Sequence, residues 1–479
     1  MENSIVGRVE EIQILQKTLQ SKEAELVAIT GRRRIGKTYL TNMIFQENIV
    51  FNITGTQNVP SNEQLQNFTN QLSQYYHATL PLKKPDNWTE AFSMLRVYLQ
   101  SISLEQKKVL FFDELPWLAG QKSGFLSAFG YFWNSWASKQ NLVIVICGSA
   151  ASWMIQKIVN DKGGLHNRIT QHLHLEPFTL AETKEYLISR EVFYDYYQIV
   201  QIYMTMGGIP HYLKAIDGTK SAIQNIDRLC FTKNGLLYDE FNRLYASLFT
   251  HSEMHLDIVR ILTQKKQGMT RNAIATLSKI KNGGGLSNVL NELILSGFIT
   301  EILPFGKKKK DKLFRLTDEY SLFYLQFMEA NRQQGKNIWQ HLSQTSTFST
   351  WAGYAFESIC LKHVESIKKV MGISGIYSSA SSFYQKGTSE QEGVQIDLLI
   401  DRNDHIINLF EIKYHSQPYT LTKEYAEKLR QKLWRFQAIT KTNKQINWVM
   451  ISNFGLVKNQ YSLGLVINDF RLEDLFATI

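Results

Sequence analysis

The chain has 479 residues, of which 44% are hydrophobic and 20% charged, and its formal net charge is +10. A single hydrophobic core stops growing well below this length, so we expect about two to four domains. The composition excludes a disordered chain, and no internal period indicates a repeat array. The positive charge favours a polyanionic partner such as nucleic acid, with DNA preferred over RNA.

The sequence also predicts a cellular compartment. Cys147, Cys230 and Cys360 show no CxxC spacing, which argues against a disulfide framework or a zinc site and fits a reducing environment. The start of the chain, Met1 to Leu15, has no apolar core of the signal-peptide type. The most apolar run, Leu142 to Ala151, is too short to cross a bilayer. We therefore expect a cytoplasmic protein without a membrane partner.

The first motif is a glycine-rich segment that follows an apolar strand. The strand is predicted at residues 25–30, and GRRRIGKT at residues 31–38 has the GxxxxGK[ST] spacing and precedes a helical stretch. Such glycines let backbone N–H groups surround phosphate oxygens at a helix N-terminus, while Lys37 reaches the β- and γ-phosphates and Thr38 ligates Mg²⁺. The predicted nucleotide-binding residues here are Gly31, Arg32, Arg33, Arg34, Ile35, Gly36, Lys37, Thr38 and Tyr39.

Two further strands are predicted to end in polar residues. The first, residues 108–113, ends at Asp113 and Glu114, as a Walker B segment does. Asp113 would hold Mg²⁺ through water, and Glu114 would orient or deprotonate the attacking water. The second strand begins at Leu142 and leads to Ser149, which either senses the γ-phosphate or caps the helix expected near Ala150.

Together these segments resemble the AAA+/STAND ATPases, in particular the prokaryotic ones that carry a winged helix and a nuclease-like tail. Arg8, in the opening IVGRVEEI, is similar to the arginine of the family's GRxxE box near the adenine. Pro210, in GGIPHYL, is similar to the lid proline near the base. Arg168, which precedes a strand predicted at residues 171–176, is either a trans-acting arginine finger, which would require a homo-oligomer, or a surface residue.

The region after the predicted helical lid has the order of a winged helix. Helices are expected from His255, from Thr270 and from Ser287 to Ser296, with Ser287 as the cap of the third; strands are expected near residues 298–303 and 313–316. A lysine-rich tip lies between the two strands, and it either contacts phosphates or is a solvated hairpin end. Its candidate nucleic-acid residues are Lys307, Lys308, Lys309 and Lys310.

The C-terminal region combines carboxylates with a lysine on a predicted hairpin. Residues two apart on a strand face the same side, so Glu411 and Lys413 share a face, and Asp397 on the preceding strand can converge with Glu411 on a divalent ion. Asp397 followed by Glu411-x-Lys413 resembles the PD-(D/E)XK nuclease fold. That resemblance assigns Glu357 to the first-helix acid and implies Mg²⁺, or Mn²⁺, at this site.

These observations predict an α/β multidomain protein with a parallel P-loop sheet. The expected domains are a P-loop ATPase core at 1–177, a helical lid at 178–250, a winged helix at 251–340 and a restriction-endonuclease-like domain at 345–479. The predicted function is an ATP-hydrolysing switch, with ATP and Mg²⁺ as cofactors, coupled to a nucleic-acid-binding nuclease. The alternatives are a regulatory or signalling ATPase whose tail only binds nucleic acid, and a DNA-remodelling motor of the initiator type.

Overall fold

The computed structural model describes residues 5–76, 82–160, 164–165, 167–249, 251–332, 337–387 and 393–478. The chain divides into two compact units. The first comprises Met1–Glu176 with Leu295–Gly297, and the second comprises Pro177–Ile294 with Phe298–Ile479. The first division falls next to the predicted end of the ATPase core at residue 177. The finer boundaries at residues 250 and 340 remain predictions.

The first unit contains a sheet of five parallel strands in the order β2-β3-β4-β1-β5. Its strands are β1 (Glu25–Thr30), β2 (Ile49–Thr54), β3 (Lys108–Asp113), β4 (Leu142–Cys147) and β5 (Gln171–His174). Its helices are α1 (Val9–Gln20), α2 (Lys37–Phe45), α3 (Ser61–Tyr75), α4 (Trp88–Ser101), α5 (Leu115–Leu118), α6 (Phe125–Ser135) and α7 (Ala151–Met154).

Burial on both faces explains why these strands are continuous apolar runs. All six residues of β4 are buried, and β1 and β3 are buried at five of six positions. Helices cover parallel strands on both sides, so such strands need no alternation of polar and apolar residues. The predicted strands β1, β3, β4 and β5 are confirmed, although β5 ends two residues earlier than expected.

The second unit is helical at its start, and further along the chain it contains a three-stranded sheet and a five-stranded sheet. From Pro177 the helices are α8 (Leu180–Ile188), α9 (Tyr196–Met206), α10 (Pro210–Leu213), α11 (Ala222–Ile226), α12 (Glu240–Leu248), α13 (Ser252–Thr263), α14 (Arg271–Ser278), α15 (Gly284–Leu295), α16 (Glu319–Phe323), α17 (Glu329–Asn331), α18 (Ile338–Leu342), α19 (Ser346–Lys362), α20 (Val364–Val370) and α21 (Lys423–Thr440). The strands are β6 (Met269–Thr270), β7 (Ile299–Ile302), β8 (Leu313–Leu316), β9 (Ser378–Gln385), β10 (Val394–Arg402), β11 (Ile406–Lys413), β12 (Tyr419–Thr420), β13 (Gln445–Ser452), β14 (Leu456–Val457) and β15 (Val466–Phe470).

Three helices and a small antiparallel sheet form the middle of the chain. Helices α13, α14 and α15 are followed by the strand pair β7–β8, and β6 joins that pair in the order β6-β8-β7. The expected start of the third helix is corrected: α15 begins at Gly284, so Ser287 lies inside its first turn and does not cap it. Gly297, with a φ of 72°, follows the end of α15 as expected.

The C-terminal sheet has the order β15-β13-β11-β10-β9. Strands β9, β10 and β11 are antiparallel neighbours, whereas β13 is parallel to β11 and β15 is parallel to β13. Helix α21 provides the crossover between the parallel strands β11 and β13, which a short turn cannot connect. The predicted hairpin β10–β11 is confirmed, and Glu357 lies on a helix, α19, as the resemblance implied, while β9 and β15 were not predicted.

Two further expectations concern the whole described chain. Cys147, Cys230 and Cys360 are all buried as free thiols, in agreement with the absence of disulfide spacing. In the part of the chain that the structure describes, no helix combines the length and apolarity needed to span a membrane.

Candidate functional site

The glycine-rich loop lies at the carboxyl end of β1, where α2 begins at Lys37. Gly36 has a φ of 93°, and a Cβ atom there would meet no atom within 4 Å, so the loop leaves open space at the helix N-terminus. Gly31 is required for packing, because its Cβ would lie 2.5 Å from the carbonyl oxygen of Leu175. A helix N-terminus beside open space is a suitable anion site.

Lys37 is directed back over this loop. Its Nζ donates to the carbonyl oxygens of Gly31, at 2.9 Å, and Arg32, at 3.0 Å. Burial lowers the pKa of Lys37, and the charges of Glu114 and Asp113 oppose this effect. A buried ammonium that donates to two carbonyl groups of the loop is well placed to exchange them for phosphate oxygens.

The end of β3 places the carboxylate of Asp113 beside the hydroxyl of Thr38 at the start of α2. The hydroxyl of Thr38 donates to Oδ2 of Asp113 at 2.7 Å, and Oδ1 of Asp113 accepts the backbone N–H of Glu114 at 3.0 Å. Burial raises the pKa of Asp113, while the Thr38 hydrogen bond lowers it. A hydroxyl and a carboxylate side by side are hard oxygen donors of the kind that Mg²⁺ takes, so these residues fit that ion.

Glu114 contacts Ser149 at the end of the neighbouring strand. The Ser149 hydroxyl lies 2.7 Å from each carboxylate oxygen of Glu114, and the Ser149 N–H donates to Oε2 at 3.1 Å. Strand β4 lies between β1 and β3, so its carboxyl end falls between the glycine-rich loop and Glu114. The alternative role of Ser149 as a helix cap is not realised, because α7 starts at Ala151 and shows no side-chain cap.

Arg8 connects the N-terminal segment to the same edge of the sheet. It precedes α1, is 7% exposed, and its guanidinium donates to the carbonyl oxygen of Glu176, just beyond β5. It also lies 3.4 Å from a carboxylate oxygen of Glu11. The N–H of Leu175 bonds the carbonyl of Thr30, so Arg8 is anchored beside the base of the loop.

Two histidines that the sequence analysis did not single out also contact this base. The Thr30 hydroxyl lies 2.9 Å from Nε2 of His172 and 2.9 Å from Nδ1 of His174. Burial lowers the pKa of His172, and His174 lowers it further. The alternation of these residues on β5 places both rings on one face, which is the sequence signal that would have found them.

Arg168 lies at the opposite edge of the sheet. It is exposed and precedes β5, whose first residue, Gln171, pairs with Val27 of β1. Arg168 is thus at the amino ends of the strands, whereas the loop is at their carboxyl ends, about 20 Å away for a strand of this length. It therefore does not reach the nucleotide site of its own sheet. Pro210 belongs to the second unit, where it begins α10.

The carboxylates of the C-terminal sheet lie on adjacent strands. Leu398 of β10 pairs with Phe410 of β11, so Asp397 and Glu411, one residue further on, stand opposite each other. The register between β10 and β9 shifts between Ile396 and Leu399, which places Asp397 in a β-bulge. Bulges redirect side chains and occur often beside functional sites. The convergence of these two residues on a divalent ion stays a prediction, which this register supports.

Glu411 is surrounded by donors. Its carboxylate lies 2.7 Å from Nζ of Lys413 and 3.2 Å from Nζ of Lys432, and it accepts the hydroxyl of Tyr425. Although burial opposes it, the charges of Lys413 and Lys432 lower the pKa of Glu411. Tyr425 and Lys432 were not predicted. They are seven residues apart on α21 and therefore lie on one face of the helix, a spacing that can be recognised in the sequence.

Glu357 lies on α19 and has a raised pKa. Burial, followed by the charge of Asp397, raises the pKa of Glu357 to about 8. Within the described ranges, no group of three or more acidic, histidine or cysteine side chains is arranged to hold a metal ion. The assignment of Asp397, Glu411 and Glu357 as metal ligands stays a prediction, and in the structure Glu411 contacts two ammonium groups.

The lysine tip is exposed, and the residue before it is packed against the C-terminal region. Lys307 to Lys310 are all exposed, between β7 and β8. The preceding Phe305 donates its N–H to the carbonyl of Ser382 at 2.7 Å and packs on Phe436, with ring centroids 5.7 Å apart. This arrangement leaves the four ammonium groups accessible to an anionic partner.

The sheet order, the glycine-rich loop and the Thr38–Asp113–Glu114–Ser149 chain define the first unit as a P-loop nucleoside triphosphatase module. Residues 5–216 match the family model described as an ATPase domain predominantly from Archaea. The protein is accordingly an ATPase of the P-loop type.

Similar proteins are known from archaea. An uncharacterized protein of Methanocaldococcus jannaschii is 24% identical over 425 residues, which are 85% of this chain and 87% of that protein. The Walker-type ATPase paby2304 of Pyrococcus abyssi is 19% identical with a TM-score of 0.50, covering 68% of this chain and 97% of its own. The ORC2 protein of Aeropyrum pernix, in ADPNP–ADP complexes, is 16% identical with a TM-score of 0.42, over 70% and 97% of the two chains.

Proposed function

We propose that the protein is an ATP- and Mg²⁺-dependent switch whose C-terminal domain binds nucleic acid and cleaves it with the help of a divalent ion. The middle region, residues 251–340, would be a winged helix, and residues 345–479 would have the PD-(D/E)XK fold. The helix and strand order of each region supports these assignments. Lys307 to Lys310 would contribute affinity that is independent of sequence and sensitive to salt.

The ATPase step follows from the residues at the carboxyl edge of the first sheet. Thr38 and Asp113 would hold Mg²⁺, which offsets the charge on the phosphates when bound. Lys37 would leave its two loop carbonyls and contact the phosphates. Glu114 would orient the attacking water, with Ser149 fixing the carboxylate in place. Arg168 would act only on the nucleotide of a second copy of the chain.

The observation that carries the nuclease proposal is the placement of Asp397 in a bulge opposite Glu411, with Lys413 on the same face. Mg²⁺ is commonly held by one or two carboxylates together with water and substrate phosphates, so this pair suffices as ligands. Lys413 would then be released from Glu411 to stabilise the charge that develops on the phosphate.

A second candidate is a C-terminal domain that binds nucleic acid without cleaving it. The double neutralisation of Glu411 by Lys413 and Lys432 favours it, because both ammonium groups would have to be displaced before a divalent ion could bind. The ATPase would then serve a regulatory role.

A cleavage assay separates these candidates. Purified full-length protein is incubated with plasmid and Mg²⁺ or Mn²⁺, with and without ATP. We expect divalent-dependent nicking that Asp397→Ala and Lys413→Ala abolish while ATP turnover stays near the wild-type rate. Asp404→Ala, at the exposed turn of the same hairpin, is the matched control and should cleave normally. Plasmid binding without nicking in any condition would instead support the second candidate.

A further inference from the structure

Three segments of the middle region contact residues that neighbour the acidic side chains of the C-terminal region. The side-chain amide of Gln267, just before β6, donates to the side-chain oxygen of Gln395 on β10. Gln395 in turn donates to Oδ1 of Asp397 at 2.6 Å. The bulged carboxylate is thus held by a relay of two amides that begins in a different region of the chain.

Arg315 of β8 enters the same neighbourhood from a second side. It is 8% exposed, and its guanidinium donates to the hydroxyl of Ser358 at 2.7 Å, one residue from Glu357. Glu357 and Asp397 are the acids that act most strongly on its charge, and burial lowers the pKa of Arg315 despite them. A buried guanidinium placed among acids supplies positive charge of the kind that a divalent ion would otherwise bring.

Lys266 and Phe305 extend this contact. Nζ of Lys266 lies 3.6 Å from the ring centroid of Tyr354 on α19, a cation–π geometry. Phe305 packs on Phe436 of α21, as described above. The middle region therefore contacts α19 and β10, which carry Glu357 and Asp397, and α21, which carries two partners of Glu411, Tyr425 and Lys432.

We infer that the middle region is an inhibitory cover of the C-terminal acidic site, in which Gln267 immobilises Asp397 through Gln395 and Arg315 takes the place of a divalent cation. The inference rests on the proposed function, since it assigns a regulation to the same site. It accounts for the partners of two of the acids, since Asp397 has the amide relay and Glu411 has its lysines. Activation requires that β8 and the segment before β6 separate from α19 and β10.

Divalent-ion binding to the full-length chain tests this inference without a cleavage assay. Mn²⁺ alone is titrated calorimetrically into nucleotide-free wild type, Gln267→Ala and Arg315→Gln, each with and without Asp397→Asn. The Asp397-dependent part of the heat isolates the C-terminal site from the P-loop. We expect the Asp397-dependent affinity for Mn²⁺ to rise about fivefold in Gln267→Ala, because the freed carboxylate loses one hydrogen-bonded restraint. Arg315→Gln should raise it by more, because a buried charge is removed.

Gln264→Ala, in the exposed part of the same loop, is the matched control and should leave Mn²⁺ affinity unchanged. Gln267→Ala keeps the test valid if Arg315→Gln does not fold, since Gln267 lies at the margin of the contact. Asp397-dependent Mn²⁺ binding that is equal in wild type and Gln267→Ala, or weaker in the variant, would overturn the cover while leaving the proposed function intact. No Asp397-dependent heat in any protein would overturn both.

Discussion

Replacing Ser149 by alanine is the most direct test of the ATPase geometry. The change removes the hydroxyl that lies 2.7 Å from both carboxylate oxygens of Glu114, while the Ser149 backbone N–H still donates to Oε2. Ser149 is 2% exposed, so water does not readily replace the lost hydroxyl. Glu114 should keep its position on average but lose orientation relative to the attacking water.

The expected magnitude follows from the kind of hydrogen bond. Hydrogen bonds to charged groups are worth about 1.5–3 kcal/mol, which corresponds to a fall in kcat of about 10- to 100-fold. The affinity for ATP should change little, because Lys37 and the loop glycines, which Ser149 does not hold, make the phosphate contacts. This split between kcat and affinity distinguishes a hydrolysis role from a structural one.

The assay measures steady-state phosphate release, together with the Kd for a fluorescent ATP analogue, in wild type and Ser149→Ala. Ser152→Ala is the matched control, because Ser152 is a buried serine of the same segment whose hydroxyl accepts from Gln156 at 3.2 Å. A kcat for Ser149→Ala within twofold of wild type would refute the positioning of Glu114 by Ser149. An equal loss in both serine variants would point to a disturbed fold.

Four further changes have defined outcomes. Lys37→Ala should abolish ATP binding, whereas Glu114→Gln should retain binding and lose turnover; equal turnover by Glu114→Gln and wild type would exclude Glu114 as the group that activates water. Replacing Lys307 to Lys310 by alanine should lower the log–log salt slope of nucleic-acid binding by about 0.9 per lost phosphate contact, as measured by titration at several salt concentrations. Burial lowers the pKa of His363 to about 4. The unfolded state, in which this histidine keeps its ordinary pKa of about 6.5, therefore binds more protons than the folded state below that pH. The free energy of unfolding should fall by about 1.4 kcal/mol per pH unit from about pH 6.5 towards pH 4. His363→Gln should abolish that slope in urea unfolding, and an unchanged slope would assign the pH dependence to other groups.

The sequence alone was sufficient for the elements in which local and tertiary forces agree. Strands β1, β3 and β4 are apolar runs that end in chemically distinctive residues, and the spacing of the glycine-rich loop fixes its place between β1 and α2. The hairpin β10–β11 could be predicted equally well, because the alternation of polar and apolar residues and the turn both indicate one register. Strand β9, SSASSFYQ, was missed because its polar residues give no hydrophobic signal.

The partners of each site residue depended on the tertiary structure. The contact between Ser149 and Glu114 arises because β4 inserts between β1 and β3, an order that no local pattern encodes. The raised pKa of Glu357 depends on burial beside Asp397, which lies 40 residues away in the chain. The residues around the acidic site also depend on packing between distant parts of the chain. Gln267 and Arg315 approach Asp397 and Glu357 because the middle region packs on α19 and β10. Side chains so distant in sequence acquire their electrostatic roles from that packing.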